Sequence, residues 1–247
     1  MKITRFSKII NDEIVKTIER PSRLLAILHR KTLFYYISSI KWKLHESWVI
    51  SETEPVFAKR KYRNYEEYVA HQKSKLPLID LFQYDHDFKN ILQGRLVGLD
   101  FLHQGAIVLC LGARIGTEVK SFLDIGCFAV GIDLNPGGQN KYVLFGDFHN
   151  IQFSSQTVDL IYTNSLDHTA DVGKLIKEIK RVLKPNGFLI VEAAKGSEEG
   201  GLPRSYESFW WPKVDSIVKL FESSGFKIIK RTQFDRPWEG EQLCFSL

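Results

Sequence analysis

A glycine-bearing turn and an acidic residue make one stretch of this chain suited to bind a nucleoside. Gly112 follows an apolar strand predicted at 107–111, and Asp133 ends a second apolar strand that starts at 128, 21 positions after Gly112. In open parallel sheets, ligands bind outside the carboxyl ends of the strands, and an acid about 20 residues after the first glycine accepts hydrogen bonds from ribose hydroxyls. The spacing therefore predicts a nucleoside site built on Gly112 and Asp133.

The residues of the turn indicate which nucleoside ligand this is. A dinucleotide pyrophosphate requires G-x-G-x-x-G, because the second glycine admits the phosphates and the third packs helix against strand. Arg114 and Thr117 occupy those two positions. NAD and FAD are therefore disfavoured, and a ligand with ribose and adenine but no phosphate at the turn is favoured. S-adenosylmethionine is such a ligand.

Six segments, in this order, resemble the motifs of class I, Rossmann-like S-adenosylmethionine-dependent methyltransferases of the type 11 kind. They are 108–116 (VLCLGARIG), 131–134 (GIDL), 146–153 (GDFHNIQF), 158–164 (VDLIYTN), 166–168 (LDH) and 183–187 (LKPNG). The resemblance covers about residues 104–247. It implies an α/β fold with a doubly wound, mostly parallel seven-stranded sheet whose last strand is antiparallel. It also implies methyl transfer from S-adenosylmethionine.

The resemblance also implies the residues that bind the cofactor. Asp133 would hold the ribose hydroxyls, Asp147 would accept from the adenine amino group, and the backbone amide of Phe148 would meet the adenine ring. As alternatives, Asp133 caps the turn before Pro136 and Asp147 braces its own loop. The full predicted set is Gly112, Ala113, Arg114, Gly116, Asp133, Leu134, Asp147, Phe148 and Asn164.

Three departures from the family pattern concern the same site. Cys110 stands where the first strand usually carries an acid that orients the loop and the amino end of the cofactor. Arg114 replaces the middle glycine, and it either pairs with the cofactor carboxylate or faces solvent. The segment 135–140 is short and rich in glycine, so the second crossover helix is expected to be reduced to a turn.

His168 is the predicted catalytic base for a hydroxyl acceptor, because its intrinsic pKa lies near neutral. The alternative is that His168 only packs its loop against the cofactor, and His149 is a second, weaker candidate base. Asp167 is adjacent in sequence, so a Ser-His-Asp-style relay is not implied. The aromatic segment 205–211 either walls the acceptor pocket or pads the N-terminal region. Residues Tyr65, Tyr68 and Gln72 either close over the cofactor or pack a helix.

The elements that position these residues fall into two parts. From 104 to 247 strands alternate with helices, which predicts a parallel sheet covered on both faces. Residues 1–103 are predicted to form a helical cap, with helices over 6–18, 22–44, 64–76 and 78–102. The short segments 48–50 and 56–57 have no assignment.

Composition limits the partners. Residues 1–104 carry 18 Lys and Arg against 12 Asp and Glu, whereas residues 105–247 carry 16 against 17. This basic segment allows a nucleic-acid or membrane-surface partner, but a solvated helical face is favoured because no recognised nucleic-acid motif accompanies the charge. No metal site is predicted, because the three cysteines form no C-x-x-C or Cys/His cluster. Without a secretory signal or a transmembrane segment, the protein is expected in the cytoplasm.

The resulting functional prediction is a methyltransferase that acts on a small-molecule or sugar-like oxygen or nitrogen acceptor. One alternative is a catalytically degenerate binding protein of the same fold, which Cys110 and Arg114 favour. The other is an RNA methyltransferase that uses the basic N-terminal segment. That alternative lacks the N/D-P-P-Y/F tetrapeptide of base-amine methylating enzymes, since 164–167 reads NSLD.

Overall fold

A computed structural model describes residues 47–52, 56–74 and 81–247, with four helical positions before them (Leu33, Ile37, Ile40 and Trp42). The helix predicted over 6–18 and most of the helix predicted over 22–44 lie outside the described residues.

The described chain contains ten strands and five α-helices. The strands are β1 (Trp48–Ile50), β2 (Ala58–Arg60), β3 (Ile107–Leu111), β4 (Phe128–Asp133), β5 (Val143–Phe145), β6 (Val158–Thr163), β7 (Leu183–Ala194), β8 (Phe209–Trp210), β9 (Lys227–Phe234) and β10 (Gly240–Ser246). The helices are α1 (Tyr65–Lys73), α2 (Leu81–Leu96), α3 (Thr117–Asp124), α4 (Val172–Val182) and α5 (Val214–Ser223).

Seven strands form the central sheet, in the order β5-β4-β3-β6-β7-β10-β9. Strands β5, β4, β3, β6 and β7 pair in parallel, and β10 pairs antiparallel with both β7 and β9. The predicted fold is therefore confirmed, including the antiparallel direction of the last strand. The carboxyl ends of β3, β4 and β6 meet at one edge, because parallel neighbours run in the same direction.

Helices cover both faces of this sheet. On β3, Leu109 and Leu111 belong to one apolar cluster, which includes buried residues of α4 and α5. Val108 and Cys110 belong to the other cluster, which includes buried residues of α2 and α3. Successive side chains of a strand point to opposite faces, so β3 contributes to both layers and is buried on each.

Two connections near the site are short. Residues 134–142 contain no helix, as the glycine-rich segment predicted. The segment 183–187 (LKPNG) forms the first residues of β7. There the β6–β7 register shifts between Val158 and Leu160, and Asn186 has a φ of 63°. Helix α4 begins as predicted, with the Asp171 side chain accepting from the Lys174 amide, and ends at Val182.

The segment before α1, where the sequence left 48–50 and 56–57 unassigned, contains two short strands. Strands β1 and β2 pair antiparallel, and β2 pairs antiparallel with β8. Each strand is only two or three residues long, which is too short for a periodic hydrophobic pattern to show in the sequence. This three-stranded sheet joins the N-terminal region to the segment that follows β7.

Helix α1 begins as predicted, because the Asn64 side chain accepts from the Glu67 amide at 2.9 Å. Helix α2 ends at Leu96, six residues earlier than predicted, and Gly98 follows with a φ of 85°. Phe88, Leu92 and Leu96 of α2 are buried in the same cluster as the β3 and α3 side chains. Helix α2 thus packs on the sheet although it precedes the predicted domain boundary at 103/104, and that boundary stays a prediction.

Among the described residues, no helix combines the length and the apolar character that crossing a bilayer requires.

Candidate functional site

The loop between β3 and α3 is shaped by residues with positive φ. Gly112 has a φ of 69° and Gly116 a φ of 84°. A Cβ at Gly112 would lie 2.6 Å from the Ser165 Cβ, so the backbone there passes the end of β6 too closely for any side chain. Arg114 also has a positive φ, of 43°, which is uncommon for a residue with a side chain. The loop therefore keeps a glycine-type path although its middle glycine is absent.

The Asp133 carboxylate holds this loop in place. Its Oδ2 accepts from the Arg114 backbone amide at 3.0 Å, and its Oδ1 accepts from the Asn135 amide at 2.7 Å. Each carboxylate oxygen has two lone pairs, so both oxygens keep capacity for a further donor. The turn-capping role and the ribose-binding role predicted for Asp133 are therefore compatible in one geometry.

A cleft of about 510 Å³, open solvent included, lies at this edge of the sheet. Six predicted site residues line it: Gly112, Arg114, Asp133, Leu134, Phe148 and His168. The residues predicted to bind the nucleoside and the candidate base His168 thus line the same cleft.

Four further residues line the cleft: Tyr68, Gln72, Asn135 and Ser165. Tyr68 and Gln72 are four residues apart on α1 and so share one helix face. Their spacing was the only sequence signal for them, and it equally suits a packed helix. Ser165 follows β6 directly, at the strand end where ligands of parallel sheets bind.

Four predicted cofactor residues do not line the cleft. Ala113 lies against the sheet, since a Cβ at Gly131 would lie 2.6 Å from the Ala113 Cβ. Gly116 lies against Tyr142 in the same way. The Asn164 side chain donates to Glu118 Oε1 at 3.0 Å.

The fourth of these residues, Asp147, is engaged by its neighbours. Its Oδ1 accepts from the His149 amide at 2.8 Å and lies 3.0 Å from His149 Nδ1, and its Oδ2 accepts from the Tyr65 hydroxyl. Burial opposes ionisation of Asp147, but the hydrogen bonds from His149 and Tyr65 outweigh it and lower the pKa of the carboxyl. Burial and the bond to Asp147 raise the pKa of Tyr65, so Tyr65 stays a donor.

His149 completes this network, and both of its ring nitrogens have partners within the protein. Its Nε2 accepts from the Asp171 amide at 3.2 Å and lies 2.8 Å from Thr169 Oγ1. A neutral ring that accepts at Nε2 carries its proton on Nδ1, where it donates to Asp147. Since both ring nitrogens are used within the protein, His149 is an unfavourable base.

His168 is the other candidate base. Its Nδ1 lies 3.0 Å from the Tyr206 carbonyl oxygen, which only accepts, so the Nδ1 proton is donated there. In the neutral ring, Nε2 then carries the lone pair. The Asp167 Oδ1 lies 3.8 Å from Nε2, which is longer than a hydrogen bond.

The segment 205–208 connects α1 to His168. His71 Nε2 lies 2.8 Å from the Ser205 carbonyl oxygen, and Gln72 Nε2 donates to the Tyr206 carbonyl oxygen at 2.9 Å. The Tyr206 carbonyl therefore accepts from both Gln72 and His168. This shared acceptor fixes the position of α1 relative to the candidate base.

His168 also belongs to a group of three side chains that could bind a metal ion. The ligand atoms of Asp167, His168 and Glu207 lie within 4.8 Å of one another. The sequence separates Glu207 from the other two by about 40 residues, so spacing alone did not indicate this group.

Comparisons with known proteins agree with this architecture. Residues 109–191 match the family model described as a methyltransferase domain. No curated protein sequence matches the chain significantly. Many solved structures share the fold at low sequence identity.

Three of these solved structures are informative. The Burkholderia thailandensis 1,6-didemethyltoxoflavin-N1-methyltransferase, with its substrate and S-adenosylhomocysteine bound, is 16% identical with a TM-score of 0.55, covering 81% of this chain and 98% of its own. A putative Haloferax volcanii methyltransferase in complex with the Trm112 activator is 17% identical (TM-score 0.53; 76% and 99% covered). An Aquifex aeolicus S-adenosylmethionine-dependent methyltransferase is 18% identical (TM-score 0.51; 65% and 89% covered).

The strand order, the loop held by the acid at the end of β4, and the family match over 109–191 all point to the same class of enzyme. Residues 109–191 of the chain thus match a methyltransferase-domain model, on a fold that solved S-adenosylmethionine-dependent methyltransferases share.

Proposed function

We propose that this enzyme transfers the methyl group of S-adenosylmethionine to a hydroxyl or amine of a small-molecule or sugar-like acceptor. The observation that carries the proposal is that His168 lines the same cleft as Asp133. The Tyr206 carbonyl orients its ring so that Nε2 carries the lone pair. A nucleoside-holding acid and an oriented base therefore share one cleft.

The residues of the cleft fit this cofactor. Gly112 and Ser165 both line the cleft, and a side chain at Gly112 would collide with Ser165. The Asp133 oxygens accept from two amides and keep lone pairs for the ribose hydroxyls. Phe148 lines the cleft with an apolar ring suited to pack against adenine.

When bound, the cofactor supplies an electrophilic methyl group on a sulfonium. Asp133 and Phe148 would hold the nucleoside, so that the methyl group would pass to a lone pair of the acceptor oxygen or nitrogen and the carbon–sulfur electron pair would leave with S-adenosylhomocysteine. The acceptor proton goes to His168 Nε2. Side chains from α1 narrow the cleft over these groups and so orient the acceptor and exclude water.

A small acceptor is favoured by the enclosure of the cleft. Tyr68 and Gln72 lie over it from α1, and the segment 205–208 holds α1 through buried hydrogen bonds. A fold neighbour is named for methylation of the small compound 1,6-didemethyltoxoflavin at N1. That name supports a small acceptor for this chain without identifying it.

The test is formation of S-adenosylhomocysteine from S-adenosylmethionine with a panel of small hydroxyl- and amine-bearing compounds. The assay is run with Mg²⁺ and with EDTA, because Asp167, His168 and Glu207 lie together. Turnover of a panel compound supports the proposal. Absence of cofactor binding would instead support a degenerate fold, and turnover only on RNA would support the RNA methyltransferase.

His168→Asn is expected to lower kcat for a hydroxyl acceptor by about 10²–10⁴-fold, which is the usual contribution of a general base. The Asn amide nitrogen can still donate to the Tyr206 carbonyl as Nδ1 does, so the loop is retained while the base is removed. The control is His86→Asn, whose side chain is 73% exposed on α2. Unchanged kcat in His168→Asn would show that His168 only packs the loop.

Tyr65→Phe is expected to strengthen cofactor binding, by at most about tenfold, if Asp147 accepts from the adenine amino group. The Tyr65 hydroxyl occupies the Oδ2 atom of Asp147, and a hydrogen bond to a charged group contributes about 1.5 kcal/mol or more. Calorimetric titration with S-adenosylhomocysteine measures the change, with Tyr142→Phe as the control. Weaker binding in Tyr65→Phe would contradict competition at Asp147.

A further inference from the structure

The position that carries an acid in the resembled family holds a neutral group in this chain. Cys110 is fully buried in β3, two residues before Gly112, and burial raises the pKa of its thiol well above the usual range. An uncharged thiol offers neither a negative charge nor a strong acceptor to the loop. The cofactor, in contrast, brings a sulfonium and an ammonium to this loop.

A second acid lies close to the same place. Glu118 is in the first turn of α3, only 5% exposed, two residues after the loop ends at Gly116. Its negative charge adds to burial in raising the pKa of the Cys110 thiol. Burying an ionised carboxylate costs folding free energy unless it is paired. A buried acid at this position therefore suggests a functional role.

The groups that face Glu118 come from four elements. Asn164, after β6, donates to Glu118 Oε1, and Arg114 of the loop contributes positive charge. Cys110 of β3 and Glu192 of β7 face it without adding positive charge. Burial raises the pKa of Glu118 to about 7, and Asn164 and Arg114 only partly oppose this. Among the described residues, the positive charge that acts on Glu118 is that of Arg114, and it does not offset burial.

The bond to Glu118 also sets the direction of the Asn164 amide. Because the Asn164 Nδ2 donates to Glu118, its carbonyl oxygen Oδ1 is the atom left to accept, and Ser165 Oγ donates to it at 3.2 Å. Ser165 itself lines the cleft. A hydrogen-bonded path thus leads from the buried carboxylate through Asn164 to the cleft wall beside Gly112.

We propose that Glu118 is the positioning acid of this cofactor site, relocated from strand position 110 to the first turn of α3. Through Asn164 and its own negative charge, it favours the ammonium group at the amino-acid end of S-adenosylmethionine. Binding of that cation stabilises ionised Glu118, so the cofactor is bound more tightly above neutral pH, and binding below neutral pH releases a proton. The proposal rests on the cofactor site of the proposed function and not on its acceptor.

The test compares ligands that differ only at the charged end. S-adenosylhomocysteine carries the amino-acid group, and 5′-methylthioadenosine has the same nucleoside without it. Glu118→Gln keeps an acceptor for Asn164 but removes the charge. At pH 8 it is expected to weaken binding of S-adenosylmethionine and S-adenosylhomocysteine by about tenfold or more, as loss of a charge-assisted contact does. Binding of methylthioadenosine is expected to stay within about twofold.

Two further measurements separate positioning from a merely structural role. Titration at pH 6.5 in buffers of different ionisation enthalpy is expected to show proton release on S-adenosylmethionine binding in the wild type and none in Glu118→Gln. Glu118→Leu is expected to lose cofactor affinity, and Cys110→Asp in that background to restore it, because the acid returns to the strand. Glu222→Gln, exposed on α5, is the control.

The outcomes decide the inference independently of the acceptor. Unchanged binding of S-adenosylmethionine by Glu118→Gln at pH 6 and pH 8 would overturn it, and so would equal losses for S-adenosylhomocysteine and methylthioadenosine. A wild type that binds neither ligand would overturn the proposed function and this inference together. Activity of His168 variants has no bearing on it, since every measurement here is of binding.

Discussion

Asp133→Asn is expected to weaken S-adenosylhomocysteine binding by about 10²–10³-fold. The Asp133 carboxylate is placed to accept two ribose hydroxyls, and each hydrogen bond to a charged group contributes about 1.5–3 kcal/mol. The same oxygens accept from the amides of Arg114 and Asn135 at 3.0 and 2.7 Å. An Asn side chain turns one of these acceptors into a donor that opposes an amide N–H, so the loop is also disturbed.

Calorimetry measures this loss directly, and the ligand-induced rise in Tm provides a second measurement, because a ligand stabilises the folded state in proportion to its affinity. Asp171→Asn is the matched control, since Asn caps a helix about as well as Asp and the residue serves α4. An unchanged dissociation constant for Asp133→Asn would remove Asp133 from the cofactor site. Tight binding of NAD by the wild type would exclude the proposed cofactor geometry.

Arg95→Met is expected to destabilise the folded protein by about 3–5 kcal/mol at pH 8, because it leaves a buried carboxylate unpaired. Arg95 of α2 donates to Glu192 Oε2 at 2.9 Å, and the Glu192 side chain has no exposed surface. The Glu192 Oε1 accepts from Gln242 at 3.0 Å. The ion pair joins helix α2 to strand β7 of the sheet.

The effect of Arg95→Met depends on pH in a defined direction. Burial raises the pKa of Glu192, and Arg95 opposes that rise. A raised pKa in the folded state means that stability is greatest at low pH and is lost as the carboxyl ionises. Without Arg95 the pKa rises further, so the destabilisation is expected to be larger at pH 8 than at pH 5.

Denaturant unfolding at both pH values tests this expectation. The double variant Arg95→Met/Glu192→Met is expected to recover most of the lost stability, because replacing a buried pair by apolar side chains is often neutral. A loss below about 1 kcal/mol at both pH values would contradict the role of the pair. The result also bears on the domain boundary predicted at 103/104, since Arg95 precedes it.

The long, regular elements were predictable from the chain alone. Strand β3 is an unbroken apolar run, and the apolar positions of α4, such as Leu175, Ile176 and Ile179, recur at helical spacing. Asn64 and Asp171 marked the starts of α1 and α4, because their side chains accept from backbone amides two or three positions later. Local chemistry determines features of this kind.

The elements that the sequence did not reveal are those that depend on distant partners. Strands β1 and β2 exist because β2 pairs with β8, about 150 residues away. The sequence assigned helix α2 to a separate cap. In the structure, Phe88 and Leu92 of this helix pack in one apolar cluster with side chains of β3 and α3. Pairing and packing of this kind leave no local periodic signal.

The sequence by itself determined the succession of strand, turn, helix and strand between Gly112 and Asp133, and it predicted a nucleoside ligand there from their spacing. The tertiary structure alone decided which side chains face the cleft. Asn164 is directed to Glu118, Asp147 to Tyr65, and His168 to the Tyr206 carbonyl. The physical reason is that a side chain takes the direction of its hydrogen-bond partner, and these partners come from elements far away in the chain.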